Sequence, residues 1–415
     1  MRVLISEIAD DLRLAARHWL PWTVLWIVTR LWIYADWSQH NRHIWNDVRY
    51  YYAWMSQPDL GMNRLVEYPV PVLWVLGLIA LPARSVEDYV LLFGLAMAVL
   101  DAVFTIVLFR RGSMRAVLFW IVFVLGFGGL IWFRYDMVPA MVVGLAALHV
   151  TRHPKVAGAL VATGAALKLW PALLIAPLIG RHRAGRLRVI WFGLTGAGLA
   201  LLALVMSSPA RLTSPLTFQS DRGLQIEAIP ATWLMARRVT QAGWRVEYSS
   251  HNAFEIYGPG VETWLQVADL TMAVVVICAL GMGLMAWLHR SLPADVLTLA
   301  MVAVVAGMLV ANKTFSPQYL VWLAAPVAAL IVEAKSRWMT AVAATIGVLC
   351  LVLAWFTQQV YPVQYAGLIG NPQGDTEATG VLVVRNVVMV AVWLIAQICA
   401  LIALLRGRAA RTGTH

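Results

Sequence analysis

The chain has 415 residues, 61% of them hydrophobic and only 13% charged, with a mean hydropathy of +0.73. Soluble chains carry about a quarter charged residues, so water would not cover this much apolar surface, and an ordinary soluble domain is excluded. The net charge of +11 comes in short basic clusters between apolar runs, the positive-inside pattern of membrane proteins rather than a nucleic-acid-binding face.

A helix needs about 20 apolar residues to cross a bilayer, because its backbone must pair internally there. Runs at 88–109, 187–206, 263–288, 338–356 and 381–405 meet that length. The 20 tryptophans suit interfacial belts. Cys278, Cys350 and Cys399 lie inside apolar runs and form no disulfide or metal framework. The expected class is an all-α polytopic membrane protein, with residues 1–415 forming a single membrane-embedded domain of about 11–13 helices.

Arg13 and Arg17 precede the first apolar run, 19–36, with no small-residue cleavage site after it. That run is expected to be a retained signal anchor running outward, with the N-terminus cytoplasmic. Residues 37–87 then form a first outer loop with interfacial helices. Its apolar stretch 68–81 is too short to span comfortably and is expected at the outer surface. The path returns through 88–109 to Arg110, Arg111 and Arg115 inside. Spans near 116–132 and 136–151 make a hairpin with Arg134 and Asp136 at its outer turn. Segment 156–180 reads as two short helices meeting at Lys168-Leu169-Trp170-Pro171. After 187–206 comes a long outer loop, 207–262. Spans 263–288, 293–311, 318–333, 338–358 and 381–405 bring the C-terminus back to the cytoplasm. No internal repeat stands out.

Five polar clusters fall on the outer side of this topology. Residues 45–54 hold Asp47, which suits a general base but equally a cap or a partner of Arg49; Glu67 and Tyr68 follow. Arg134 and Asp136 are either an ion pair sealing the turn or a phosphate-binding arginine beside a carboxylate. Lys168 sits where two apolar runs meet, and ionisable groups at membrane depth are costly, so function is the default reading; a snorkelling lysine is the alternative. Arg222, Gln225 and Glu227 crowd one short stretch that would also pass as a solvated loop. Lys313, Ser316, Gln318 and Tyr319 lie between two spans, where a polar turn ending in a helix-starting proline is the ordinary alternative. His40 and His43 lack a third ligand. Walker, Rossmann and nucleophile-elbow motifs are absent from the sequence, so no cofactor, nucleotide or metal is expected.

In this order the clusters resemble the GT-C class of membrane glycosyltransferases, specifically family 87, over residues 19–333. The carriers are Asp47 with its aromatics, Glu67-Tyr68-Pro69-Val70-Pro71, Arg134-x-Asp136-x-x-Pro139, Lys168-x-x-Pro171, 222–227 and 312–319; Val70 departs from the Tyr-Pro-Pro pattern. The resemblance implies a site at the outer face of a cell membrane. A sugar, mannose first, would move from a polyprenyl-phosphate donor to a lipid-linked glycan such as a phosphatidylinositol mannoside or lipomannan, with inversion. Asp47 would be the base. Arg134, Lys168, Arg222 and Lys313 would meet the donor phosphate. Glu67, Tyr68, Asp136, Gln225, Glu227, Ser316, Gln318 and Tyr319 would orient sugars or hold those cations. The alternatives are a polyprenyl-phosphate arabinofuranose donor, or a transporter of lipid-linked sugars, which would commonly show two related halves.

Overall fold

The computed structural model describes residues 18–40 and 42–409; Arg13, Arg17 and Arg411 lie outside them. Among the described residues, seven helices are long and apolar enough to cross a membrane. They are Val86–Arg110, Met114–Phe133, Arg183–Met206, Val261–Leu288, Ala294–Ala311, Arg337–Val363 and Thr376–Arg406. The chain is a multi-pass, all-α membrane protein.

Helix α1, Trp19–His40, spans 22 residues, about 33 Å at 1.5 Å per residue. Its tryptophans and Arg30 make it less apolar than those seven. A 3-10 turn, Arg42–Trp45, leads into α2, Asn46–Met55. Helix α3, Val70–Ala80, starts at Pro69 and Pro71 and buries Val70, Val72, Leu73 and Leu76 against the bundle. Helix α4, Val86–Arg110, is capped by Ser85, whose hydroxyl accepts from the Asp88 amide, with Glu87 and Asp88 in the first turn. Helix α5, Met114–Phe127, ends at Gly128 (φ +75°), where a Cβ would also lie 2.6 Å from Gln358 Nε2. The 3-10 segment Gly128–Phe133 follows.

Two expected spans are shorter than a bilayer. Helix α6, Met137–His149, has 13 residues, and the later helix Leu320–Glu333 has 14. Each is preceded by an irregular turn carrying expected site residues, 134–136 and 312–319. Non-helical backbone is tolerated at membrane depth when protein encloses it, and both helices are heavily buried. The break expected in 156–180 is present: α7, Pro154–Leu167, is separated from the 3-10 segment Trp170–Leu178 by Lys168 and Leu169. Helix α8, Arg183–Met206, packs so closely on α7 that a Cβ on Gly158 would fall 2.1 Å from the Arg188 carbonyl oxygen.

Helix α9, Pro209–Ser220, and α10, Thr232–Arg238, belong to the long loop. So do β1, Arg245–Tyr248, and β2, Phe254–Tyr257, which pair antiparallel with Arg245 opposite Tyr257. Residues 224–226 lie along β2 through the Gln225–Glu255 bridge. Helices α11 (Val261–Leu288), α12 (Ala294–Ala311), α13 (Leu320–Glu333), α14 (Arg337–Gln358), α15 (Tyr365–Ile369) and α16 (Thr376–Ala409) complete the chain. Helix α12 is the centre, with 89% of its apolar window buried, and α8 the periphery, with 6%. Lipid-exposed Leu194, Leu201 and Val205 on α8 fit that position.

Inside the bundle, Arg30 of α1 and Asp101 of α4 form a bidentate pair at 2.8 and 2.9 Å, both buried. Trp120 Nε1 donates to the same carboxylate at 2.8 Å, and Arg30 also donates to the Ile121 carbonyl at 3.2 Å.

Candidate functional site

Asp47 is the second residue of α2, so its position follows from where the 3-10 turn after α1 ends. Its side chain is 39% exposed, and Oδ2 lies 3.1 Å from Nε of the buried Arg134. That N–H is poorly aligned with the oxygen, so the contact is one of charge more than of hydrogen bonding. Arg134 Nη1 donates to the carbonyls of Ile44 and Phe133, and its guanidinium lies 6.0 Å from the Tyr361 ring centre. Burial works against the Arg134 charge, yet Asp47 and Tyr361 hold its pKa above the ordinary arginine value. One turn along α2, the buried Tyr51 hydroxyl meets that of Tyr68 at 3.2 Å. Burial, then the Asp47 charge, keeps Tyr51 protonated. Tyr50 donates to Glu67 Oε1 at 2.8 Å.

Asp136 is 1% exposed. Its Oδ1 accepts from Lys168 Nζ at 2.5 Å and from Trp322 Nε1 at 2.7 Å. The Lys168 ammonium lies 4.5, 4.9 and 6.0 Å from the rings of Tyr319, Trp322 and Tyr68, an aromatic cage that suits a desolvated cation. Trp322 is itself stacked between Tyr319 and Trp170. The two charges of the 134–136 turn therefore do not pair with each other: Arg134 faces Asp47 and Asp136 faces Lys168. Arg49 does not hold Asp47; it stacks on Trp45 at 5.1 Å. Lys168 is 16% exposed at its side chain, drawn inward by Asp136 rather than snorkelling.

The remaining clusters form an adjoining wall. Gln225 Nε2 donates to Ser316 Oγ at 3.2 Å, and its amide donates to the Lys313 carbonyl at 3.0 Å. Lys313 Nζ donates to the Ser220 carbonyl at 2.9 Å. Arg222 is buried with Nε unpartnered. Among the four expected cations, Arg222 and Lys313 face no carboxylate within 4.0 Å among the described residues, whereas Arg134 and Lys168 each do. Gln318 is half-buried in the 3-10 turn Pro317–Tyr319.

Glu227 is fully enclosed. Its carboxylate lies 3.9 Å from Arg385 Nη1, and its carbonyl accepts from Arg385 Nη2 at 2.6 Å. Burial pushes its pKa up to about 7, against the pull of Arg385 and Arg134.

Several site residues escape the sequence reading. Arg211 of α9 donates to the carbonyls of Met62, Leu65 and Tyr68 at 2.7, 3.1 and 2.9 Å and so shapes the loop bearing Glu67 and Tyr68. Tyr361, Tyr365 and Trp322 are further members. Arg385 and Asn386 carried a usable signal, as polar residues inside an apolar run. Among the described residues no three His, Cys, Asp or Glu side chains cluster.

The opposite end of the bundle is basic: Arg111 lies near Arg152 and Glu333 and meets His149 Nε2 at 3.1 Å. Compared with known proteins, the chain matches no protein-family model, no curated protein and no solved structure.

Proposed function

We propose that the chain is a GT-C-type glycosyltransferase, akin to family 87, that moves mannose from a polyprenyl-phosphate donor to a lipid-linked glycan at the outer membrane face. The observation that carries this reading is the Asp47–Arg134 pair, a half-exposed carboxylate against a buried guanidinium in an aromatic-lined wall. In the reaction an acceptor hydroxyl attacks the anomeric carbon as its proton passes to Asp47. The bond from that carbon to the phosphate oxygen breaks, and the polyprenyl phosphate leaves with the electron pair. Attack opposite the leaving group inverts the centre. Arg222 and Lys313, which face no carboxylate within 4.0 Å among the described residues, would take the growing phosphate charge. Arg134 and Lys168 reach it only by loosening from Asp47 and Asp136. Glu67, Gln225 and Ser316 offer hydrogen-bonding groups for sugar hydroxyls.

The test uses purified protein in nanodiscs with radiolabelled polyprenyl-phosphate mannose and a phosphatidylinositol mannoside acceptor. Wild type transfers label, and Asp47→Asn loses about 10²–10⁴-fold in rate, the usual worth of a general base. Equal transfer by both removes Asp47 as the base. If wild type is inactive with this donor and active with polyprenyl-phosphate arabinofuranose, the sugar changes and the class stands. If wild type is inactive with both, the enzyme reading falls and transport of a lipid-linked sugar is the one to measure.

A further inference from the structure

A groove of about 460 Å³ lies between helices α1 and α4, near α2, within the roughly 300–1,000 Å³ typical of small-ligand sites. Its rims are apolar and open to the membrane: Ile27, Leu31, Leu91 and Leu95 are 44%, 62%, 61% and 53% exposed. At bilayer depth such a surface suits a hydrocarbon chain. The groove's floor is closed by Arg30, already neutralised by Asp101.

Its mouth is different. Trp132 lines it and is 7% exposed, yet its indole N–H has no hydrogen-bond acceptor among the described residues, as is also true of Trp26 one turn before Arg30. Arg49 also lines it, exposed, stacked on Trp45 and paired with no carboxylate among the described residues. A further polar group there is the exposed carboxylate of Glu87. Two donors call for an anionic, oxygen-rich group, such as a phosphate on the guanidinium and an ester carbonyl on the indole. A carboxylate beside them disfavours a phosphomonoester dianion and accepts from hydroxyls. A glycerophospholipid with a polyol headgroup meets the demands of Arg49, Trp132 and Glu87 together.

The groove does not suit the sugar donor. Residues two apart on a helix point roughly 200° apart, so Arg49 and Asp47 lie on opposite flanks of α2. A donor phosphate must sit beside the carbon that the base-activated hydroxyl attacks, on the Asp47 flank. A headgroup glycan anchored at Arg49, by contrast, would cross α2 to bring a distal hydroxyl to Asp47. Resting on the transferase reading above, we propose that this groove seats the glycerophospholipid anchor of the acceptor, acyl chain between α1 and α4 and phosphate on Arg49.

The experiment has two arms, both on the full chain in nanodiscs. In the first, phosphatidylinositol carrying an acyl-chain diazirine is photolysed and crosslinked peptides are mapped. Adducts are expected on residues 27–31 and 91–95, reduced about tenfold by Arg49→Gln, the scale of one lost charge-assisted contact. The same probe built on phosphatidylcholine should give markedly fewer adducts. Equal labelling by both probes makes the groove a seat for bulk lipid and overturns the proposal.

In the second arm, Leu91→Trp, which fills the groove from an exposed position, should raise KM for the lipid acceptor about tenfold. KM for the donor should stay within twofold. A rise in donor KM instead assigns the groove to the donor chain and overturns the proposal. If wild type transfers no sugar at all, the transferase reading fails and takes the acceptor assignment with it, while the crosslinks still decide whether a polyol phospholipid sits there.

Discussion

Asp47, Glu227 and Asp136 are three carboxylates whose surroundings set different behaviour. Asp47 is half-exposed beside a guanidinium, and Asp136 is buried and doubly bonded. Glu227 is buried 3.9 Å from its cation, with its pKa pushed up to about 7 by burial. For a carboxylate raised in the folded state, the fold binds the extra proton. The unfolded chain loses its proton near pH 4.5 and the fold only near 7, so stability falls as pH rises between those values and levels off above. The thermal midpoint of detergent-purified protein is therefore expected to drop from pH 5 to pH 7.5. Glu227→Gln should flatten that slope, and an unchanged slope would show that Glu227 does not titrate in this window. The same carboxylate reads as an ordinary loop residue in the sequence, because nothing local reveals that Arg385, 158 positions away, closes over it.

Among the elements, α1 is the one whose place depends most on charge. Arg30, Asp101, Trp120 and the Ile121 carbonyl tie it to α4 and α5 at the depth where lipid would otherwise meet it. Asp101→Ala leaves Arg30 buried without a counter-charge and should cost about 3–5 kcal/mol. Arg30→Met combined with Asp101→Leu should recover most of that loss, read as the thermal midpoint in detergent; a double variant as unstable as the single would mean the pair does more than neutralise itself. Long apolar runs such as Val261–Leu288 and Thr376–Arg406 were legible from hydropathy alone. So was the break at Lys168, because Pro171 and a cation interrupt the run. Helices α6 and α13 match the expected runs 136–151 and 318–333 to within two residues; their heavy burial was not legible, since an apolar residue that packs against protein looks the same in sequence as one that faces lipid. The order of the polar clusters was legible, whereas their pairing was not: the neighbours Arg134 and Asp136 turn to Asp47 and Lys168, 87 and 32 positions away.

For the whole molecule, the polar clusters collect at one end and a basic set, Arg111, Arg152 and their neighbours, at the other. On the charge rule we propose that the basic end faces the cytoplasm. In a variant with Cys278, Cys350 and Cys399 replaced by alanine, Ser250→Cys on the exposed β1–β2 turn should react with a membrane-impermeant maleimide in intact cells. Lys335→Cys, between α13 and α14, should react only after permeabilisation. The reverse pattern would invert the topology and move the Asp47 site to the cytoplasmic face.

The clasp of Arg211 on the 62–68 loop joins positions up to 149 residues apart, and a ribosome adding roughly 5–20 residues per second needs about 7–30 s to pass from one to the other. During that delay the loop bearing Glu67 and Tyr68 has emerged without the residue that shapes it, and Glu227 later waits as long for Arg385. The site is thus completed in instalments during biosynthesis. A pause in translation between these landmarks prolongs the interval in which a protease or an insertion factor meets it unfinished.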